Sequence, residues 1–87
     1  MAKPVNFIFI PNETVENVFL VGDFNNWCPQ SNPLERQRDG SWAALVPMNH
    51  GHHRYAYLVD GERVLDPKAM GVARDDYNER VSLIAVS

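Results

Sequence analysis

The sequence predicts an all-β domain, an antiparallel β-sandwich of about seven short strands. Three observations predict it. No segment sustains the helical period of about 3.6 residues. Short runs rich in β-branched and aromatic residues recur along the whole chain. Clusters of Gly, Pro, Asn and Asp separate these runs, with Asp39-Gly40 and Asp60-Gly61 as hairpin signals.

The elements follow in order. Val5 to Ile10 is strand-like, with Phe7 and Phe9 on one face. Pro11-Asn12-Glu13 is a turn, and Val15 to Val21 is the second strand. Its apolar run Val18 to Val21 stops at Gly22, whose freedom of backbone angle suits a turn at Gly22-Asp23. Phe24 is expected to tuck back under that strand. The loop Cys28 to Pro33 carries two prolines and no periodicity. Leu34-Glu35-Arg36 is a short edge strand, and Ser41 to Val46 a strand with Trp42, Ala44 and Val46 on one face. Pro47 to Gly51 reads as a loop. His53 to Val59 places Tyr55, Tyr57 and Val59 together, and Asp60-Gly61 leads into Arg63-Val64-Leu65. Asp66-Pro67 ends that strand, because proline removes a ladder donor. Lys68 to Tyr77 reads as an irregular loop, and Arg80 to Val86 is the last strand.

Length and charge bound the function. At 87 residues the chain holds one domain, 1–87, with no repeat or linker. A net charge of −3 with scattered Lys and Arg argues against nucleic acid. No apolar run approaches a membrane span, and the N-terminus lacks the apolar centre of a secretion signal, so a cytoplasmic location is the expectation. Without such a signal, the glycosylation sequon at Asn12 reads as chance. Cys28 is the sole cysteine, which excludes an internal disulfide. With no His or Lys adjacent in sequence it reads as an inert thiol.

Several stretches carry a family resemblance. VFLVGDFNNW, then DGSW, then YAYLVDGERVLDP, then a loop ending in an Asn before the last strand, resemble carbohydrate-binding module family 48. That family includes the glycogen-binding domain of the AMP-activated protein kinase β subunit. It also includes the early-set N-terminal domains of branching enzymes and isoamylases of glycoside hydrolase family 13. The resemblance covers about Val5 to Val86. It implies an immunoglobulin-like, early-set sandwich that binds α-glucans (glycogen, starch or maltooligosaccharides) or docks a catalytic domain, without being an enzyme or needing a cofactor. Among the family's sugar-binding positions, the first tryptophan matches Trp27 and the asparagine matches Asn78. The lysine position holds Ala56 and the second tryptophan position holds Arg63. The leucine and threonine positions fall near Arg74 and Asp76. The alternative is therefore a protein-interaction module that docks a kinase or glycoside hydrolase, its sugar site decayed.

The chemistry of the residues agrees with a sugar site. A glucose ring has apolar C–H faces and polar edges, so it suits an exposed aromatic ring flanked by amides and charged forks. Trp27 lies among Asn25, Asn26, Cys28 and Pro29, with no apolar sequence neighbour to bury it. Asn26, Asn78 and Arg63 supply polar groups, and Arg63 and Tyr77 supply planar ones. Trp27 has a second reading as a lid over one end of the sandwich. Trp42, Tyr55 and Tyr57 occupy alternating strand positions and read as core. His50, His52 and His53 cluster around Gly51 without a nearby Cys or acid, and read as a solvated loop rather than a metal site. The carboxylates show no catalytic arrangement. Asp39 and Asp60 belong to turns, Asp66 orders a strand end, and Asp75-Asp76 read as solvated.

Overall fold

The computed structural model describes residues 2–87. Eight strands run as β1 (Lys3–Phe9), β2 (Val18–Gly22), β3 (Glu35–Arg36), β4 (Trp42–Met48), β5 (Gly51–Val59), β6 (Glu62–Val64), β7 (Gly71–Arg74) and β8 (Arg80–Val86). All pairings are antiparallel. One sheet has the order β1-β4-β3, and the other β2-β5-β8-β7, with β6 also paired to β5. Strand β5 carries β2 along one edge. Its other edge is shared, β8 pairing Gly51 to Tyr55 and β6 pairing Tyr57 to Val59. The architecture is an immunoglobulin-like β-sandwich.

The alternation predicted from sequence fills the space between the sheets. Phe7 and Phe9 of β1, Trp42, Val46 and Met48 of β4, Val18 and Leu20 of β2, Tyr55 and Tyr57 of β5, and Val86 of β8 form one buried cluster. The rings interlock across it. Phe7 meets Tyr55 edge-on with centroids 5.2 Å apart, and Phe9 lies 5.1 Å from Tyr57. Phe24 joins from the loop, 6.4 Å from Phe7, as expected. Burial raises the proton affinity of both tyrosine hydroxyls, reinforced by the Asp66 carboxylate. Tyr55 donates to Asp66 Oδ2 at 2.6 Å, and Asp66 receives a second hydrogen bond at Oδ1 from the Lys68 N–H. Asp66 thus orders the end of its strand, as read from sequence.

Four readings are corrected. Strand β4 continues through Pro47, which faces Pro4 in the register. Opposed prolines are compatible with a ladder position where neither residue donates. Strand β5 begins at Gly51, two residues ahead of the expected start at His53, so Gly51 and His52 are strand residues and the histidines at 52 and 53 do not lie in a loop. The segment read as an irregular loop contains β7, whose Gly71 to Arg74 pair with Leu83 to Arg80. Its local pattern is weak because Gly71 and Arg74 are poor strand residues and Val72 is exposed. Gly22 is extended rather than turned, at φ −173°. Its need is space, since an added Cβ would collide with the Phe24 ring and lie 2.7 Å from the Arg54 carbonyl oxygen. The chain reverses just afterwards, through a 3-10 turn at Asp23–Asn25 and left-handed Asn26 and Trp27.

The hairpin signals hold. Asp60 and Gly61 both have positive φ, the geometry of a two-residue hairpin turn. Asp60 Oδ1 also accepts the N–H groups of Glu16 and Asn17, pinning the approach to β2. Asp39 accepts from both the N–H and the hydroxyl of Ser41, which holds its carboxyl below the usual range.

Candidate glucan-binding cleft

The pleat of the five-stranded sheet sends Tyr55 and Tyr57 inward, so Ala56 and Leu58 face the opposite side. The register sets Val21 beside Ala56, and Leu58 between Phe19 and Arg63. Val21, Ala56 and Val81 are buried but lie outside the inter-sheet cluster. On this outer side, three separate turns converge. The first carries Asn26 and Trp27, the second delivers Arg63 at the start of β6, and the third joins β7 to β8.

Local chemistry fixes each turn. After Gly22, the Asn25 side chain accepts the Gly22 N–H at 3.0 Å and donates to the carbonyl of Leu20 and to Asn32. The Trp27 N–H donates to the Gly22 carbonyl at 2.8 Å, closing the loop. Asn32 to Leu34 then run along the free edge of β2, with the Leu20 N–H on Asn32 and the Leu34 N–H on Val18. At the third turn, Asp75 Oδ1 accepts the N–H groups of Tyr77 and Glu79, both at 2.9 Å. The Glu79 hydrogen bond is the main reason the Asp75 carboxyl sits below the usual range, with Arg63 adding to it. This overturns the reading of Asp75 as solvated, since its side chain is only 7% exposed. The same turn holds Asn78 in the left-handed region, and Arg74 donates to the Asn78 carbonyl.

Arg63 joins the walls. Its guanidinium lies 2.9 Å from Asp75 Oδ2 and 3.6 Å from Glu79 Oε2, while its Cζ stands 5.1 Å from the centroid of the Trp27 ring. The result is a shallow cleft of about 260 Å³ lined by Asn26, Trp27, Arg63, Asp75, Asp76 and Tyr77. Four of the five residues singled out by sequence therefore meet here: Trp27, Asn26, Arg63 and Tyr77. Asn78 follows Tyr77 in the same turn but does not line the cleft. Tyr77 is 87% exposed. Trp27 is half-buried and lies outside the core cluster, whereas Trp42, Tyr55 and Tyr57 belong to it. Ala56 contributes no polar group.

Asp75 was missed by sequence reading, although Asp-x-Tyr-Asn has the composition of an Asx turn. Cys28 is free and partly exposed. Hydrogen bonds from the Ser31 side chain, and then from the Gln30 backbone, hold its thiol below the ordinary value. These donors are neutral groups two and three residues along the chain, not adjacent cations. His53 places Nδ1 3.4 Å from Asp23 and Nε2 2.8 Å from the Asn49 carbonyl. Among the described residues, no helix is long and apolar enough to cross a membrane.

A 1,4-alpha-glucan-branching enzyme of Dictyostelium discoideum is 47% identical over 36 residues, covering 41% of this chain and 5% of that protein. The branching enzyme GlgB of Deinococcus radiodurans is 39% identical over 54 residues, 62% of this chain and 7% of its own length. The 5'-AMP-activated protein kinase subunit beta-1 of Sus scrofa is 38% identical over 52 residues, 60% of this chain and 40% of its length. The chain thus spans between 5% and 40% of these relatives. In fold, it resembles the crystal structure of a maltogenic amylase from S. marinus, with TM-score 0.82 at 20% identity over 97% of this chain and 13% of that one. The family model described as the glycogen recognition site of AMP-activated protein kinase matches residues 4–87, and the chain belongs to that family.

Proposed function

We propose that this domain is a non-catalytic α-glucan-binding module, and that glycogen, starch or a maltooligosaccharide lies in the Trp27 cleft. The observation that carries the reading is the convergence of two aromatic rings, Trp27 and Tyr77, with Asn26 and Arg63 in one solvent-facing cleft. Asn78 stands next to it in sequence. Rings cover the C–H faces of a sugar, and side-chain amides bond its hydroxyls. The family and the branching-enzyme and kinase relatives support the same ligand class. Four of the carboxylates are engaged structurally, which supports a binding role over a catalytic one. Asp39 and Asp60 hold turns, Asp66 receives Tyr55, and Asp75 holds Arg63.

A shallow site with few exposed hydrogen bonds yields a dissociation constant on the order of 0.1–10 mM for a short oligosaccharide. Titration with maltoheptaose, followed by amide chemical shifts, tests it. Shifts at Asn26, Trp27, Tyr77 and Asn78 support the cleft. Silence up to about 10 mM favours a second reading. In that reading the sandwich is a docking module for a kinase or glycoside hydrolase, and its sugar site has decayed. The guanidinium already covering the Trp27 ring is the observation in its favour.

A further inference from the structure

We infer that Arg63 is a resident occupant of the sugar platform, and that it sets the affinity of the site by competing with the glucan for the cleft face of Trp27. The inference rests on the glucan-binding reading above. Arg63 touches both walls at once. Its Cζ is 5.1 Å from the Trp27 centroid, and its Nη1 is 2.9 Å from Asp75. The guanidinium therefore stands between the ring and the Asp75 turn, on the ring face that looks into the cleft. A glucose unit stacking on that face needs the same space. A planar cation over an indole is itself an attractive arrangement, so the sugar replaces an existing interaction.

The carboxylates decide where the side chain goes when displaced. Asp75 is a fixed anchor, because its other oxygen is already held by two backbone N–H groups. Glu79 is 67% exposed, lies 3.6 Å from the guanidinium and does not line the cleft, offering the side chain a second carboxylate to rest on. A glucan thus exchanges a cation–π contact for a C–H stack while the ion pair to Asp75 persists. The exchange leaves little surplus, which makes the native site weak and a site without Arg63 tighter. Among the residues lining the cleft, the carboxylates Asp75 and Asp76 outnumber the cation Arg63. This charge balance favours neutral glucan chains over phosphorylated ones.

The test is Arg63→Ala, read in two ways beside the parent chain. Acrylamide quenching of tryptophan emission reports Trp27, since Trp42 is buried. The accessible fraction is expected to rise when the guanidinium is removed. Maltoheptaose affinity is expected to rise about two- to fivefold, the equivalent of one exposed cation–π contact. Arg63→Gln, which keeps part of the stem and removes the charge, moves both readouts in the same direction and guards against a poorly folded alanine variant. Affinity that is unchanged or lower in a variant with the parental melting temperature overturns the inference, and a lower affinity makes Arg63 a sugar contact. If no protein binds maltoheptaose at about 10 mM, the glucan reading fails. Quenching then decides alone: a rise upholds the cover over Trp27, and no change removes it.

Discussion

Trp27→Ala distinguishes a platform from a structural ring, and the structure sets the size of the effect. Trp27 is half-buried, lies outside the core cluster, and carries the Arg63 guanidinium on its ring. Losing an exposed cation–π contact costs about 0.5–1 kcal/mol. Losing a partly buried ring adds a fraction of what a fully buried one costs, giving about 1–2 kcal/mol in total. Trp42 is fully within the core, so Trp42→Ala is expected to cost about 3–5 kcal/mol. Urea midpoints at unchanged slope measure both. In thermal melts, each 1 kcal/mol corresponds to about 4–8 °C for a domain of this size. The backbone supplies an internal check. Trp27 sits at φ 57°, a left-handed conformation that alanine shares at a cost and glycine adopts freely. Trp27→Gly is therefore expected to be more stable than Trp27→Ala by up to about 1 kcal/mol. A Trp27→Ala protein destabilised as much as Trp42→Ala would refute the reasoning, because the ring would then be part of the core and the platform would lose its basis.

Other perturbations have equally definite outcomes. Gly22→Ala is expected to lower stability by about 1–3 kcal/mol in chemical denaturation, because the new Cβ meets the Phe24 ring and the Arg54 carbonyl oxygen. A wild-type midpoint would show that Phe24 can move away at no cost. Tyr55→Phe removes the 2.6 Å donor to Asp66 and is expected to cost about 1–3 kcal/mol, with the loss reduced when Asp66 is also replaced by Asn. Acid stability follows from Asp39 and Asp75, whose folded carboxyls lie below their ordinary values. Their contribution is complete above the unfolded value of about 4 and is lost as pH falls through the lower folded values, so the melting temperature drops in that window. At the alkaline end the sign reverses. Tyr55 and Tyr57 hold their protons more tightly folded than unfolded, so stability declines as pH rises above about 10.

The strands were legible where the information is local. Alternation put Phe7, Phe9, Trp42, Val46, Tyr55 and Tyr57 on inward faces, and a single burial requirement suffices for that pattern. Asp39-Gly40 and Asp60-Gly61 marked their hairpins because few residues accept the required φ. Strand β7 was not legible, since it is held by pairing with β8, a distant segment, and its own side chains carry little pattern. Pro47 likewise read as a breaker because the sequence does not show which ladder positions go unused.

The site divides along the same line. The sequence by itself determined a β-sandwich and, through the resemblance carried by GDFNNW, YLVDG and the loop ending in Asn78, singled out Trp27, Asn26, Arg63, Tyr77 and Asn78 as sugar-binding candidates. Only the tertiary structure decided how they meet. Trp27, Arg63 and Asp75 come from three turns far apart in the chain, and their contact depends on β6 pairing with β5 and β7 with β8. Gly22 shows the same division in reverse. Its identity suggested a turn, but its extended backbone and the crowding from Phe24 and Arg54 show that space requires the glycine. Local conformational preference is written in neighbouring residues, whereas cation–π contacts, ion pairs and steric gaps belong to surfaces that exist only once the strands have paired.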